Sequence, residues 1–204
     1  MYHIMIHDSI GSGRGHRFEG SCNDQRCRTT DARETCEAVP RRTVMTESDA
    51  ADITHLRRCV ELAREAVETG NRPFGSVLVS GAGEILKEDH NRTGSGDPTA
   101  HPELALARWA ALNLSKAERA AATIYTSGEH CPMCAAAHGW CGIGRAVFAT
   151  STPQLIAWLE EFGAPPLPYK PVTMRELLPH VEIVGPFEAF AAEIKAMHER
   201  VHRR

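Results

Sequence analysis

The chain lacks any apolar run long enough to cross a bilayer, and its longest Ala/Leu-rich segment is interrupted by Arg108. The opening residues lack the apolar stretch of a secretory signal. Cysteine is present but unpaired in number: seven residues, in a chain without an export signal, argue against a disulfide framework. They read instead as thiols or metal ligands, and the expected compartment is the cytoplasm. A broad basic surface is missing too. The formal charge is −3, so neither nucleic acid nor a membrane is the expected partner. There is no internal repeat. The 204 residues suit one domain with a proper core and a tail.

The tail is expected at the start. Residues 1–44 hold the flexible run Gly11-Ser12-Gly13-Arg14-Gly15 and show no steady apolar period from Cys22 to Glu37. Their net charge is +1, against −4 for the remainder. His16, Cys22, Cys27 and Cys36 are the ligand types of a second metal site, but their spacing makes no tight pair. The expectation is a disordered extension over 1–44 and a single domain over 45–204.

From Asp49 to Thr69 the spacing of Ile53, Leu56, Val60, Ala63 and Val67 predicts a helix, capped by Ser48 or Asp49 and ended by Gly70. Ser76 to Ser80 and Glu84 to Asn91 read as strands joined by the Gly81-Ala82-Gly83 turn. A helix starts near His101, with Pro102 in its first turn. Its Leu104, Leu106, Trp109 and Leu112 make it apolar nearly all round, which implies burial. Thr123–Ser127 and Arg145–Thr150 read as strands, with a helix from the Cys131/Cys134 pair to about Trp140 between them. Pro153 to Phe162 is helical, and a Pro-rich loop runs from Ala164 to Pro171. Val181–Val184 is a further strand and Phe187 to His202 a last helix. This alternation predicts an α/β fold, a three-layer α/β/α sandwich around a mixed five-stranded sheet.

Two stretches carry the chemistry: Ala100-His101-Pro102-Glu103 and His130-Cys131-Pro132-Met133-Cys134. An imidazole and two thiols are zinc ligands, and three of them leave one coordination position open. Both stretches sit where a helix begins, so unpaired N–H groups favour the thiolate form that binds metal. Glu103 leaves the same turn as His101 and can carry protons for a bound water. That combination suits hydrolytic deamination of an amidine-like carbon.

Plainer readings compete. His101 and Glu103 can be a capping residue and an exposed acid, and Cys131 with Cys134 a redox pair or half a structural zinc site. His138, one turn beyond Cys134, would close a four-ligand site, but that leaves Glu103 without a role. Cys59 and Cys141 read as small buried residues, and His55, His90 and His180 as solvated or core-edge histidines.

Together with Arg72-Pro73-Phe74-Gly75, Asn91, Asp97 to His101, Thr126-Ser127 and Glu129, these motifs resemble the cytidine-deaminase-like superfamily. Within it, the bacterial guanine and nucleobase deaminases are nearest in pattern, over roughly Leu56 to Phe148. The resemblance implies zinc held by His101, Cys131 and Cys134, proton transfer by Glu103, and a homodimer. It implies a base held by Asn91, with Phe74 and Trp140 on its faces. Glu129 would accept from ring or amino N–H groups, and Glu161, or its neighbour Glu160, would lie over the pocket. Pro102 and His130 depart from the pattern, and His130 is expected at the metal rim. The expected substrate is a free nucleobase or small heterocycle: a guanine-like aminopurine first, an aminotriazine or cytosine analogue next. The alternatives are a tRNA adenosine-to-inosine deaminase and a non-enzymatic zinc-stabilised binding module.

Overall fold

The computed structural model describes residues 47–203, with side chains from Ala50 onward. The expected extension over 1–44, with its Cys22, Cys27 and Cys36, lies outside the described residues, as do the side chains of Ser48 and Asp49; the helix already includes both positions, so neither is the residue before it. The elements run α1 (Glu47–Glu68), β1 (Gly75–Val79), β2 (Ile85–His90), α2 (Pro102–Asn113), α3 (Lys116–Ala121), β3 (Thr123–Gly128) and α4 (Pro132–Cys141). They continue with β4 (Arg145–Thr150), α5 (Thr152–Glu161), α6 (Met174–Leu177), β5 (Glu182–Val184) and α7 (Ala191–His202). The sheet order is β2-β1-β3-β4-β5. β1 is antiparallel to both its neighbours, whereas β3, β4 and β5 run parallel. The sheet is therefore mixed and five-stranded.

Alternation along the strands sorts the layers. Val77, Val79, Tyr125, Val147 and Ala149 face one way, onto α1, α5 and α7. Leu78 and Ile124 face the other, onto Leu106, Ala107 and Ala110 of α2. Ala146 and Phe148 share that second side with Ala135 of α4 and Met174 of α6. The central strands β1, β3 and β4 are buried nearly throughout, as a sheet covered on both faces requires. On the first side Arg145 grips Asp52 through two bonds of 2.7 and 2.8 Å, and Tyr125 donates to the same carboxylate at 2.8 Å. This polar knot ties α1 to β3 and β4.

Two short helices escape the apolar period because neither is long enough to show one. α3 and α6 are instead set by capping boxes, Ser115 with Glu118 and Thr173 with Glu176. A second departure concerns α2. It is not buried all round: Leu112 is 83% exposed, and the buried stripe is Leu106, Ala107 and Ala110. Among the described residues no helix is long and apolar enough to cross a membrane.

Gly75 fixes how closely α1 approaches the sheet. A methyl group there would overlap the Cys59 carbonyl, Leu62 and Ala63 of the helix. Because backbone atoms are among those struck, Gly75→Ala is expected to cost about 2–3 kcal/mol in urea unfolding. A loss below about 0.5 kcal/mol would show that α1 moves aside freely.

Candidate active site

The two chemical stretches meet at two helix starts. His101 is the residue that caps α2, and Pro102 occupies the first turn, where its missing N–H is not needed. Cys131 occupies the same position before α4, with Pro132 next, and Cys134 lies one turn in. His101 Nδ1 stands 3.6 Å from both Cys131 Sγ and Cys134 Sγ. The ligand atoms of all three residues lie within 4.8 Å of one another. Bonds of about 2.3 Å to sulfur and 2.0–2.1 Å to nitrogen at a tetrahedral angle put those atoms roughly 3.6 Å apart. The donor set and its spacing therefore fit zinc.

The closed four-ligand alternative does not form. His138 is buried against His130, ring centroids 5.3 Å apart, and is outside the cluster. His130 itself turns into the core, 1% exposed, rather than toward the metal rim. The physical reason is the extended backbone before α4: Cys131 is at the cavity, so the side chain before it points to the other side.

Electrostatics favour the ligand form at Cys131 and oppose it at Cys134 and His101. The Cys134 hydrogen bond pulls the Cys131 thiol down to about 4, and His101 reinforces it. The same bond, with burial, pushes Cys134 up. The bond to Cys131 raises His101. Glu103 is 4% exposed, and burial raises it above the usual carboxylate range, opposed by His101 and Thr126. Its Oε1 lies 2.8 Å from Thr126 Oγ1 and 3.2 Å from Ser76 Oγ, hydroxyls that are themselves 2.9 Å apart. Strands β1 and β3 thus hold one oxygen of Glu103.

Glu103, His101 and Cys131 line a cavity of about 50 Å³ together with Arg72, Phe74 and Tyr169. It shares the Arg72, Cys131 and Tyr169 walls with an open groove of about 700 Å³. Phe74 is at the wall, its ring edge-on to His198 at 5.2 Å and close over Gly128, where a Cβ would come within 2.9 Å of it. Asn91 is fully buried just past β2 and is not itself among the residues that line the cavity. Its Oδ1 accepts from the Thr93 N–H at 3.1 Å and hydroxyl at 2.8 Å. That identifies the other amide atom as Nδ2, a donor with no partner. Glu129 lines the cavity, but both its oxygens are engaged. Oε2 accepts from the Thr152 N–H and Oε1 from the Met174 N–H, at 2.8 and 2.7 Å. It ties the first residues of α5 and α6 to the end of β3.

Two expected contacts are elsewhere. Trp140 is 91% exposed and lines no wall of this cavity. Cys134 and His138 face inward one turn apart, and at 100° per residue Trp140 points nearly opposite to His138. Glu161 is at the far end of α5, paired with Lys195 at 2.7 Å, whereas α5 meets the cavity through Thr152 and Leu155 near its start. Glu160 likewise lies off this cavity. Sequence reasoning missed Arg72 as a wall, and it missed Leu155, Leu167 and Tyr169. The one available signal for the last two was a tyrosine and a leucine inside a stiff Pro-rich loop.

Such a sandwich, with three ligands for zinc and a carboxylate at an accessible cavity, has the construction of a zinc-dependent hydrolase. Residues 49–150 match the family described as the cytidine and deoxycytidylate deaminase zinc-binding region, and the chain belongs to that family of hydrolytic deaminases. It is 31% identical over 146 residues to a Schizosaccharomyces pombe protein named "probable cytosine deaminase", covering 70% of this chain and 88% of that one. A Bacillus subtilis guanine deaminase is 42% identical, over 43% of this chain and 56% of its own. A Haemophilus influenzae tRNA-specific adenosine deaminase is 38% identical, over 47% and 56%. The chain thus spans just over half the length of these last two relatives. The solved guanine deaminase of Nitrosomonas europaea has the same fold, with a TM-score of 0.56 at 20% identity, covering 72% of this chain and 83% of that one.

The cluster predicts one zinc per chain by native mass spectrometry. Removing it should lower the melting temperature by several degrees, with recovery on adding zinc. Cys134→Ala should lose the metal; retention of zinc at full occupancy in that variant would rule out this ligand set.

Proposed function

We propose that the chain, through residues 45–204, deaminates a free nucleobase or related small heterocycle and releases ammonia. A guanine-like aminopurine is the first choice, and an aminotriazine or cytosine analogue the next. The observation that carries the reading is Glu103. One oxygen is held by Thr126 and Ser76, and the carboxylate lines the same cavity as His101 and Cys131.

Hydrolytic deamination replaces an exocyclic C–NH2 by C=O, consuming water and releasing ammonia. His101, Cys131 and Cys134 would hold the zinc, which when bound would lower the pKa of a water toward roughly 7 and so supply a nucleophile at neutral pH. This chain's residues do the rest. Glu103 takes a proton from the attacking water and gives it to the ring nitrogen beside the reacting carbon; it then takes the second proton from the hydroxyl added to that carbon and gives it to the amine, which leaves as ammonia as the C=O bond forms. Its raised pKa suits a group that must be both base and acid. Asn91 Nδ2, buried without an acceptor, is matched by a ring carbonyl or nitrogen of the base. Phe74 and Tyr169 supply apolar walls. Glu129 acts mainly by holding α5 and α6 in place.

A tRNA adenosine deaminase is the second reading, favoured by the tRNA-specific relative and by the size of the outer groove. Ammonia release from a panel of free bases, nucleosides and a tRNA anticodon stem-loop separates the two. The expected result is turnover of a free base; activity confined to the stem-loop would refute the first reading. Glu103→Gln should keep its zinc and lose about 10³-fold in kcat. Retained turnover would remove Glu103 from the mechanism.

We also propose a homodimer built on the outer face of α4. Met133, Ala136 and Trp140 recur there at helical spacing and are all exposed. The purified chain should run as a dimer by light scattering, and Trp140→Glu should shift it toward monomer. A monomeric parent, or a dimer indifferent to that change, would discard this face.

A further inference from the structure

The inner cavity meets the outer groove at a neck. Arg72, His101, Cys131, Pro132, Leu167 and Tyr169 line both spaces. His101, Cys131 and Pro132 belong to the two helix starts of the metal cluster. Arg72 is an exposed side chain on a flexible stem, free to swing aside. Leu167 and Tyr169 remain, and both come from the Pro-rich loop between α5 and α6. The same two side chains also line an apolar hollow of about 280 Å³, against Ile156 and Leu159 of α5. The loop is therefore a strap that separates three spaces.

This strap is held at both ends and is stiff between them. At one end the Ala164 N–H donates to the Leu159 carbonyl at 2.9 Å. At the other, Thr173 caps α6, and the Met174 N–H donates to Glu129 at 2.7 Å. Four of the seven residues from 165 to 171 are proline. Each proline fixes its own φ and restricts the residue before it, which includes Leu167 and Lys170. Tyr169 keeps 40% of its surface in solvent, as a side chain at a mouth does. Burial of the rest raises its hydroxyl, and the charges of Cys131 and Cys134 add to this, so the phenol presents neutral bulk beside the cluster.

A base must turn its amine toward Glu103 and the metal ligands, so its opposite edge faces the neck. A sugar on that edge would have to pass Leu167 and Tyr169 to reach the groove. A clash built against one ligand discriminates as well as a contact made to another. We infer that these two side chains form a gate that admits a bare base and excludes the same base carrying a ribosyl group, with Tyr169 as its main bar. This inference rests on the deaminase reading of the same site and names what enforces the choice of a free base.

Equilibrium dialysis on the zinc-loaded Glu103→Gln chain, expected to bind without turnover, tests it with cytosine against cytidine and guanine against guanosine. A base that binds should do so at least about tenfold more tightly than its nucleoside. Tyr169→Ala in the same background should bring that pair within about threefold, whereas Tyr169→Phe should keep the preference. Replacing Pro166 and Pro168 together by Gly should also reduce the preference, although Tyr169 is retained, because the strap loosens. Equal binding of base and nucleoside, binding of neither base, or a preference untouched by Tyr169→Ala overturns the inference. Loss of the preference in Tyr169→Phe would place it on the hydroxyl and overturn the gate as well. Ammonia assays on the parent chain with the same four compounds judge the reaction separately. Selective binding of a base without ammonia would sink the deaminase reading and leave the gate. Ammonia from base and nucleoside alike would do the reverse.

Discussion

Everything at the site depends on two helix starts held a few ångströms apart. His101 and Cys131 occupy the same position before α2 and α4, and Cys134 follows within the first turn. Only when α2 and α4 pack side by side on one face of the sheet do an imidazole nitrogen and two sulfurs come to 3.6 Å. The helix starts contribute more than position. Their free N–H groups favour negative charge, which suits thiolate ligands and a neighbouring carboxylate. The prolines at the first helical positions give up N–H groups that the helices do not use.

The cavity beside the cluster is shaped by polar groups that serve the fold and the chemistry together. Glu129 spends both oxygens on the starts of α5 and α6, and so fixes Thr152, Leu155 and the approach to the Pro-rich loop. Ser76 and Thr126, neighbours across β1 and β3, orient Glu103. A buried carboxylate held by hydroxyls rather than by a cation keeps a raised pKa, as a proton carrier needs. Asn91 takes the opposite course: its carbonyl is satisfied by Thr93 and its amine is not. An unpaired buried donor is costly in a resting structure and valuable where a ligand supplies the acceptor.

What the sequence by itself determined was the periodic and the local. Strand alternation and helix spacing located every long element and the five strands, because burial imposes a period that a reader can count. The metal ligands and Glu103 were legible because a zinc site needs particular donor atoms, and both stretches sit at recognisable helix starts. α3 and α6 were missed because their only signal is a capping box, visible in Ser115/Glu118 and Thr173/Glu176 but too short to show a period. Tertiary structure alone decided which way single side chains face. Trp140 and Leu112 look like core in composition yet point outward, and His130 sits beside a ligand yet points inward. It alone decided, too, that a tyrosine from a loop after α5 and an arginine from the turn after α1 would share a wall with the cluster. Those neighbours are about 30 to 100 positions apart in the chain, and no local pattern records a contact that exists only once the layers have packed.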